Sequence, residues 1–140
     1  MADCVSSDLR RRIMASIKAK DTKAELLVRR YLHRQGFRYR TNDRRLPGTP
    51  DIVLPKYRTV IFINGCFWHA HHGCSRYTLP TSNQEFWREK LAKNRERDQR
   101  TTALLLSQGW RVLVVWECEL ATRRLREETL SGLVNEIYNN

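Results

Sequence analysis

Chemistry is most concentrated in Asn64-Gly65-Cys66-Phe67-Trp68-His69-Ala70-His71-His72-Gly73-Cys74, which holds three of the chain's four histidines and two of its four cysteines. Cys66 and Cys74 with an intervening histidine, joined by Cys118 at the end of an apolar run, make a Cys₃His set suited to tetrahedral Zn²⁺. Four protein ligands leave no open position, so such a site is structural. Either His71 or His72 can reach the metal, and buried thiols that merely pack are the competing reading. Asp51 follows Pro50 at the start of an apolar strand. A carboxylate there can hold Mg²⁺, whose shell takes one or two carboxylates, waters and phosphate oxygens; an ordinary Pro-Asp turn fits the same residues. His69 can deprotonate an attacking water or assist a leaving group, although a histidine here also suits a spare metal ligand or a surface position. Phe67 and Trp68 are adjacent on a turn and cannot both enter one core. Exposed rings beside positive charge suit wedging between bases or stacking on them. Trp110 and Trp116 read as core, and Trp87 fits either role.

These residues need elements to position them. Thr22-Lys-Ala-Glu25 has the form of a capping box, with Leu27, Tyr31 and Leu32 on one face behind it and Gly36 as a stop. Phe37 to Arg40, Asp51 to Leu54 and the β-branched run Thr59 to Ile63 read as strands able to pair as a meander, with Leu46-Pro-Gly-Thr-Pro50 as the turn before the second. Gln84 to Ser107 is helical, with Phe86, Trp87, Leu91, Leu104 and Leu105 on apolar positions around a charged middle, and Gly109 ends it. Arg111 to Trp116 is a further buried strand and Arg123 to Tyr138 a closing helix. Strands in a run followed by helix, strand and helix predict an α/β or α+β sandwich with a mixed sheet.

The chain has 140 residues, 26 Lys and Arg against 15 Asp and Glu, and a formal net charge of +11. That length suits one domain, residues 1–140, with its own core. The charge calls for a polyanion, nucleic acid first, because each phosphate neutralised releases a counterion. It is carried by an arm over residues 1–20, where Leu9, Ile13 and Ile17 recur at helical spacing among Arg10, Arg11, Arg12, Lys18 and Lys20, by Arg44 and Arg45, and by the helix from Arg88 to Arg100. Nothing in the chain reads as a membrane span or a signal peptide. The expected setting is therefore soluble and cytoplasmic, where four cysteines serve metal rather than disulfides. Cys4, in the arm, reads as a bystander.

Four stretches together resemble the very-short-patch-repair (Vsr) mismatch endonucleases, a divergent branch of the restriction-endonuclease-like nucleases. They are Leu46-Pro-Gly-Thr-Pro-Asp51, Val60-Ile-Phe-Ile-Asn-Gly-Cys-Phe-Trp-His69, Glu85-Phe-Trp-Arg-Glu-Lys90 with Asn94 and Arg97-Asp98, and Gly109-Trp-Arg-Val-Leu-Val-Val-Trp-Glu-Cys118. The resemblance implies a restriction-endonuclease-like α/β core, a central mixed sheet flanked by helices, with a basic N-terminal helical arm and a structural zinc site. It implies Mg²⁺-dependent nicking of duplex DNA at the T:G mismatch left by 5-methylcytosine deamination. Asp51 and the backbone carbonyl of Ile63 would ligate Mg²⁺, His69 would be the general acid/base, and Glu25 would assist through a water. Zn²⁺ would take Cys66, His71, Cys74 and Cys118. Phe67, Trp68 and Trp87 would wedge beside the mismatch, Met14 would close over the other groove with the arm, and Lys90 and Asn94 would touch flanking bases or phosphates. Implied partners are mismatched double-stranded DNA and, downstream, MutL-type repair proteins and DNA polymerase I. The chain would act as a monomer in the cytoplasm, nucleoid-associated.

Two departures stand out. Restriction-type nucleases carry a second acidic residue and a lysine on the strand after Pro-Asp, places that fall near Phe62 and Asn64 here; the Vsr branch lacks them. Some family members carry histidine at the position of Asn64, and an amide is limited to hydrogen bonding. Two rival readings are a zinc-stabilised nucleic-acid-binding module without catalysis and a general structure-specific or RNA nuclease.

Overall fold

The computed structural model describes residues 22–66, 69, 71 and 81–139. The expectations placed on Cys4, Met14 and the arm of residues 1–20, and on Phe67, Trp68, His72 and Cys74, lie outside them.

Helix α1 (Lys23–Arg34) begins at Thr22, whose hydroxyl accepts the Glu25 N–H at 3.2 Å. It ends in a Schellman motif, with Gly36 at φ +90° and the Phe37 N–H donating to the Leu32 carbonyl at 3.0 Å. Its buried stripe is Glu25, Val28 and Leu32, while Leu27 and Tyr31 are only half-buried. The Schellman closure turns Phe37 into the core, so strand β1 is confined to Arg40–Thr41 instead of starting at Phe37. Strand β2 (Ile52–Leu54) is buried at all three residues. A single 3₁₀ turn, Pro55–Tyr57, leads to strand β3 (Thr59–Asn64). The expected meander is present: β1 pairs with β2 and β2 with β3, both antiparallel.

Helix α2 (Gln84–Ser107) crosses over to strand β4 (Arg111–Trp116), which pairs parallel with β3 from Thr59↔Arg111 to Asn64↔Trp116. A parallel pair requires such a crossover. Gly109, at φ +86°, provides the turn between them. Helix α3 (Arg123–Tyr138) is capped by the Thr122 hydroxyl, which accepts the Leu125 N–H at 3.2 Å. Among the described residues the fold is thus α/β, a four-stranded mixed sheet in the order β1-β2-β3-β4 with three helices. Ile61 and Val115 join Val28, Leu32, Leu130, Leu133 and Ile137 on the face shared by α1 and α3. Val60 and Val53 meet Leu105 of α2 on the other. Alternation along β3 therefore serves two layers. Of the two leucines expected on the apolar face of α2, Leu105 is buried and Leu104 exposed. No helix among the described residues is long and apolar enough to cross a membrane.

The loop between β1 and β2 is anchored to α2 at one close approach. Gly48 has φ +74°, and a Cβ built there would lie 2.3 Å from Thr101 Cγ2. Gly48→Ala is accordingly expected to destabilise the protein by about 2 kcal/mol, the sum of backbone strain and a displaced β-branched neighbour. Gly36→Ala, with nothing within 4 Å of the added methyl group, should cost about 1 kcal/mol from φ alone. Urea unfolding of the two variants checks the difference, and equal midpoints would remove the anchor.

Candidate active site and metal centre

The mixed topology brings the start of β2 beside the end of β3, so Asp51 sits next to Ile63. The Ile63 N–H donates to Asp51 Oδ2 at 2.7 Å, and the Asp51 carbonyl accepts the Asn42 N–H at 3.2 Å. In an extended residue the N–H and C=O point to the same edge, so the Ile63 carbonyl faces the same side as the carboxylate. Burial pushes the Asp51 carboxyl up to about 6, against the opposing Ile63 hydrogen bond and with a further push from the neighbouring Glu25 carboxylate. Arg29 pulls in the other direction.

A cleft of about 1030 Å³ opens over this pair, lined among others by Glu25, Asn64, His69, Asn94, Arg97 and Asp98. Arg44 reaches its wall from the β1–β2 loop. Its neighbour Arg45 is engaged with Asp43, donating to the carboxylate from Nε and Nη2, each at 2.9 Å, and from the backbone N–H at 3.0 Å. That pairing holds the Asp43 carboxyl down at about 2.

His69 stands on the turn after β3, its N–H donating to the Gly65 carbonyl at 3.2 Å. Its Nδ1 lies 2.5 Å from Asp98 Oδ2 of α2. A carboxylate accepts only, so Nδ1 carries the hydrogen and Nε2 is left with a lone pair for proton transfer. Asp98 belongs to one of the four stretches quoted above, and the sequence alone gives it no role. The signal was in the helix: Asn94, Arg97, Asp98 and Thr101 recur at helical spacing, and all four line the cleft.

The remaining expected site residues divide. Asn64 lines the cleft at the end of β3, and Asn94 lines it from α2. Lys90 lies one turn earlier on α2, partly buried and outside that lining among the described residues. Trp87 is buried at 9% exposure, edge-on to Phe86, which is 47% exposed. As packed here, Trp87 belongs to the interior, and the accessible ring on this turn of α2 is Phe86. Arg44, expected as part of the basic surface that meets a polyanion, also lines the cleft, as does Glu117, to which the sequence gives no role.

Below the His69 turn, donor atoms of Cys66, His71 and Cys118 all lie within 4.8 Å of one another. Cys118 Sγ is 3.5 Å from His71 Nδ1. A tetrahedral zinc with ordinary Zn–S and Zn–N bonds separates those two atoms by about 3.6 Å, so the donor set fits. The Cys118 N–H donates to Cys66 Sγ at 3.4 Å, as backbone groups do to metal thiolates, and Trp116 stacks on the His71 ring at 3.9 Å and 6°. These are three of the four expected ligands.

Residues 2–76 match the family described as DNA mismatch endonuclease Vsr. The chain is 50% identical over 137 residues to the Type II nicking enzyme V.NmeAIP of Neisseria meningitidis, covering 98% of this chain and 97% of that protein. It is 45% identical over 135 residues to the Type II nicking enzyme V.XorIIP of Xanthomonas oryzae pv. oryzae, covering 96% and 98%. It is 44% identical over 137 residues to the DNA mismatch endonuclease Vsr of Escherichia coli, covering 97% and 87%. Half-buried Asp51 and the carboxylate-held His69 share one cleft, Cys66, His71 and Cys118 cluster beside the turn that carries His69, and the chain belongs to the Vsr family of DNA mismatch endonucleases.

Proposed function

We propose that the protein nicks duplex DNA at T:G mismatches in a Mg²⁺-dependent reaction. The observation that carries this reading is the meeting, in one cleft, of the Asp51 carboxylate, the Ile63 backbone edge and the His69–Asp98 pair. The antiparallel β2–β3 pair with β4 parallel beyond it supports a restriction-endonuclease-like core. The whole of residues 1–140 is one domain in this reading, its basic arm, with Met14, closing over the groove opposite the cleft. Zn²⁺ is held by Cys66, His71, Cys74 and Cys118 and has no part in the chemistry.

Asp51 and the Ile63 carbonyl would hold Mg²⁺, which when bound supplies a Lewis acid at the scissile phosphate. Arg44, Arg97 and Asn94 face the backbone across the cleft and position it. His69 Nε2 takes a proton from the water that attacks phosphorus as the bond to the 3′ oxygen breaks, the leaving 3′ oxygen takes up a proton from solvent, and Asp98 holds the imidazole in the competent tautomer. Glu25 assists through a hydrogen-bonded water, and Asn64 contributes hydrogen bonding alone. Phe67 and Trp68 wedge into the stack, a deformation that takes least energy where pairing is already weak. Trp87 joins them only by leaving the packed position it has here. Lys90 contacts flanking phosphate. The net charge of +11 gives affinity and a steep salt dependence but no mismatch preference. The protein acts as a monomer in the cytoplasm, where MutL-type proteins and DNA polymerase I complete the repair.

The test is nicking of T:G and T:A duplexes of otherwise identical sequence and of single strands, with Mg²⁺ or with chelator. A nick confined to the T:G duplex with Mg²⁺ supports the proposal. Equal rates on all substrates would sink mismatch specificity, and binding without a nick would make the protein a binding module. Asp98→Asn should slow single-turnover nicking about a hundredfold at unchanged DNA affinity, because an amide no longer enforces the Nδ1–H tautomer. An unchanged rate would remove Asp98 from the mechanism.

A further inference from the structure

The β1–β2 loop carries Asp43, Arg44 and Arg45 in succession, and the fold treats the two arginines differently. Asp43 is buried and opens a turn in which the Leu46 N–H donates to its carbonyl at 3.4 Å. Its Oδ1 also accepts the Arg45 N–H at 3.0 Å, the side-chain bond that closes an Asx turn around Arg44. The Arg45 guanidinium folds back on the same carboxylate, so its charge is matched inside the loop. Arg44 is exposed on the cleft wall and makes no ion pair among the described residues. Before it, the Asn42 N–H donates to the Asp51 carbonyl at 3.2 Å. After it, Leu46 packs against the cluster of Val53, Val60 and Leu105, and Gly48 abuts Thr101 of α2. The backbone of Arg44 is thus fixed from both sides, while its guanidinium stays open to a ligand.

We propose that Asp43 is a positioning residue for DNA: by closing the turn from Asp43 to Leu46 it holds Arg44 on the cleft wall, where the guanidinium takes one backbone phosphate of the bound duplex. This rests on the reading that the duplex lies in this cleft. A guanidinium matches phosphate oxygens through paired N–H donors. An arginine on an open loop gives up backbone freedom each time it binds, and a pre-formed turn removes that cost. The carboxylate sets the turn through the Arg45 N–H and covers the charge of the Arg45 side chain, so that Arg44 is the guanidinium presented to the cleft. An acidic residue thereby strengthens binding to a polyanion, the reverse of what its charge alone dictates.

The experiment is equilibrium binding of the full chain to a T:G duplex, with Mg²⁺ omitted, across a range of salt concentrations. Arg44→Ala should bind about tenfold more weakly at about 0.1 M salt, and the slope of log affinity against log salt should shrink by about 0.9, the loss of one phosphate contact. Asp43→Ala and Asp43→Asn each remove one negative charge, and only asparagine can still accept the Arg45 N–H. Asp43→Ala should nevertheless weaken binding about fivefold and lower the slope, because Arg44 must then be ordered on binding. Asp43→Asn should bind at least as tightly as wild type. In the double variant of Asp43→Ala with Arg44→Ala the loss should not exceed that of Arg44→Ala alone, since Asp43 acts through Arg44. Asp43→Ser, whose hydroxyl makes such turns more weakly, replaces the alanine variant if that one does not fold. Tighter binding in Asp43→Ala, equal binding by the two Asp43 variants, or losses that add in the double variant each overturn the positioning role and leave the DNA-binding cleft standing. Unchanged affinity and slope in Arg44→Ala overturn the placement of the duplex against this wall, and the inference with it.

Discussion

Asp51→Asn is expected to abolish nicking and, in the same molecule, to raise stability above pH 6. The fold holds the Asp51 carboxyl up at about 6 against an ordinary 3.8, mainly because it is buried. A raised folded value means that folding favours the protonated form. Its contribution to stability is fully present below the unfolded value and is lost as pH rises through about 6. At pH 8 the ionised carboxylate therefore burdens the fold by about 3 kcal/mol. Asparagine removes the charge, and its side-chain oxygen can still accept the Ile63 N–H that donates to Asp51 at 2.7 Å. The variant should unfold several degrees higher than wild type at pH 8, and the gap should close toward pH 4. Nicking should fall at least about a thousandfold, the worth of Lewis-acid assistance of several kcal/mol. DNA affinity should persist, because the basic residues that grip phosphate are untouched. Denaturation across pH and single-turnover nicking together make the check. Retained nicking would remove Asp51 as a ligand, and equal stability at pH 8 would show that the carboxylate is not held under strain.

The same contrast between local and distant information decides what was legible in the sequence. Strand β4 and helices α2 and α3 lie where periodicity and Gly109 put them, because such signals act within a few residues. Strand β1 is shorter than the pattern around Phe37 suggests, since the helix stop at Gly36 sends that ring into the core. Asp51 and His69 stand out as candidates through the neighbours they have in the chain. What they touch does not. Asp98 is 29 residues from His69, and Cys118 is 47 from His71, so only the crossover of α2 and the parallel β3–β4 register bring each pair together. Glu25 has its backbone N–H in the N-terminal cap and its carboxylate on Arg29. The capping pattern predicts the first role and is silent about the second. The burial of Trp87 and the exposure of Phe86 likewise depend on how α2 rolls against its surroundings, which a stripe of adjacent aromatics leaves open.

Cys118→Ser should remove the metal and most of the local order around His69 together. The cluster joins the turn after β3 to the 3₁₀ turn Glu117–Leu120 that follows β4, so a bound ion would tie the ends of the parallel strand pair. Cys66 is buried, and Cys118 makes contact with both other donors, through its N–H to Cys66 and its Sγ to His71. A neutral hydroxyl is a far poorer zinc ligand than a thiolate, and metal binding at a structural site is folding free energy. The loss should amount to several kcal/mol, a large share of the stability of a domain this size. His69 lies between Cys66 and His71 in the chain. The His71 N–H donates to the Cys66 carbonyl at 2.9 Å, which closes the turn that presents His69 to Asp98. Loosening that turn should lower nicking even at temperatures where the variant remains folded. The expected pattern is the opposite of that for Asp51→Asn, in which activity should disappear while stability rises, so the two variants would separate the proposed structural ion from the proposed catalytic one. Elemental analysis should find about one zinc per wild-type chain and none in the variant, with a matching fall in the thermal midpoint. A variant that keeps its zinc and its midpoint would exclude Cys118 from the ligand set.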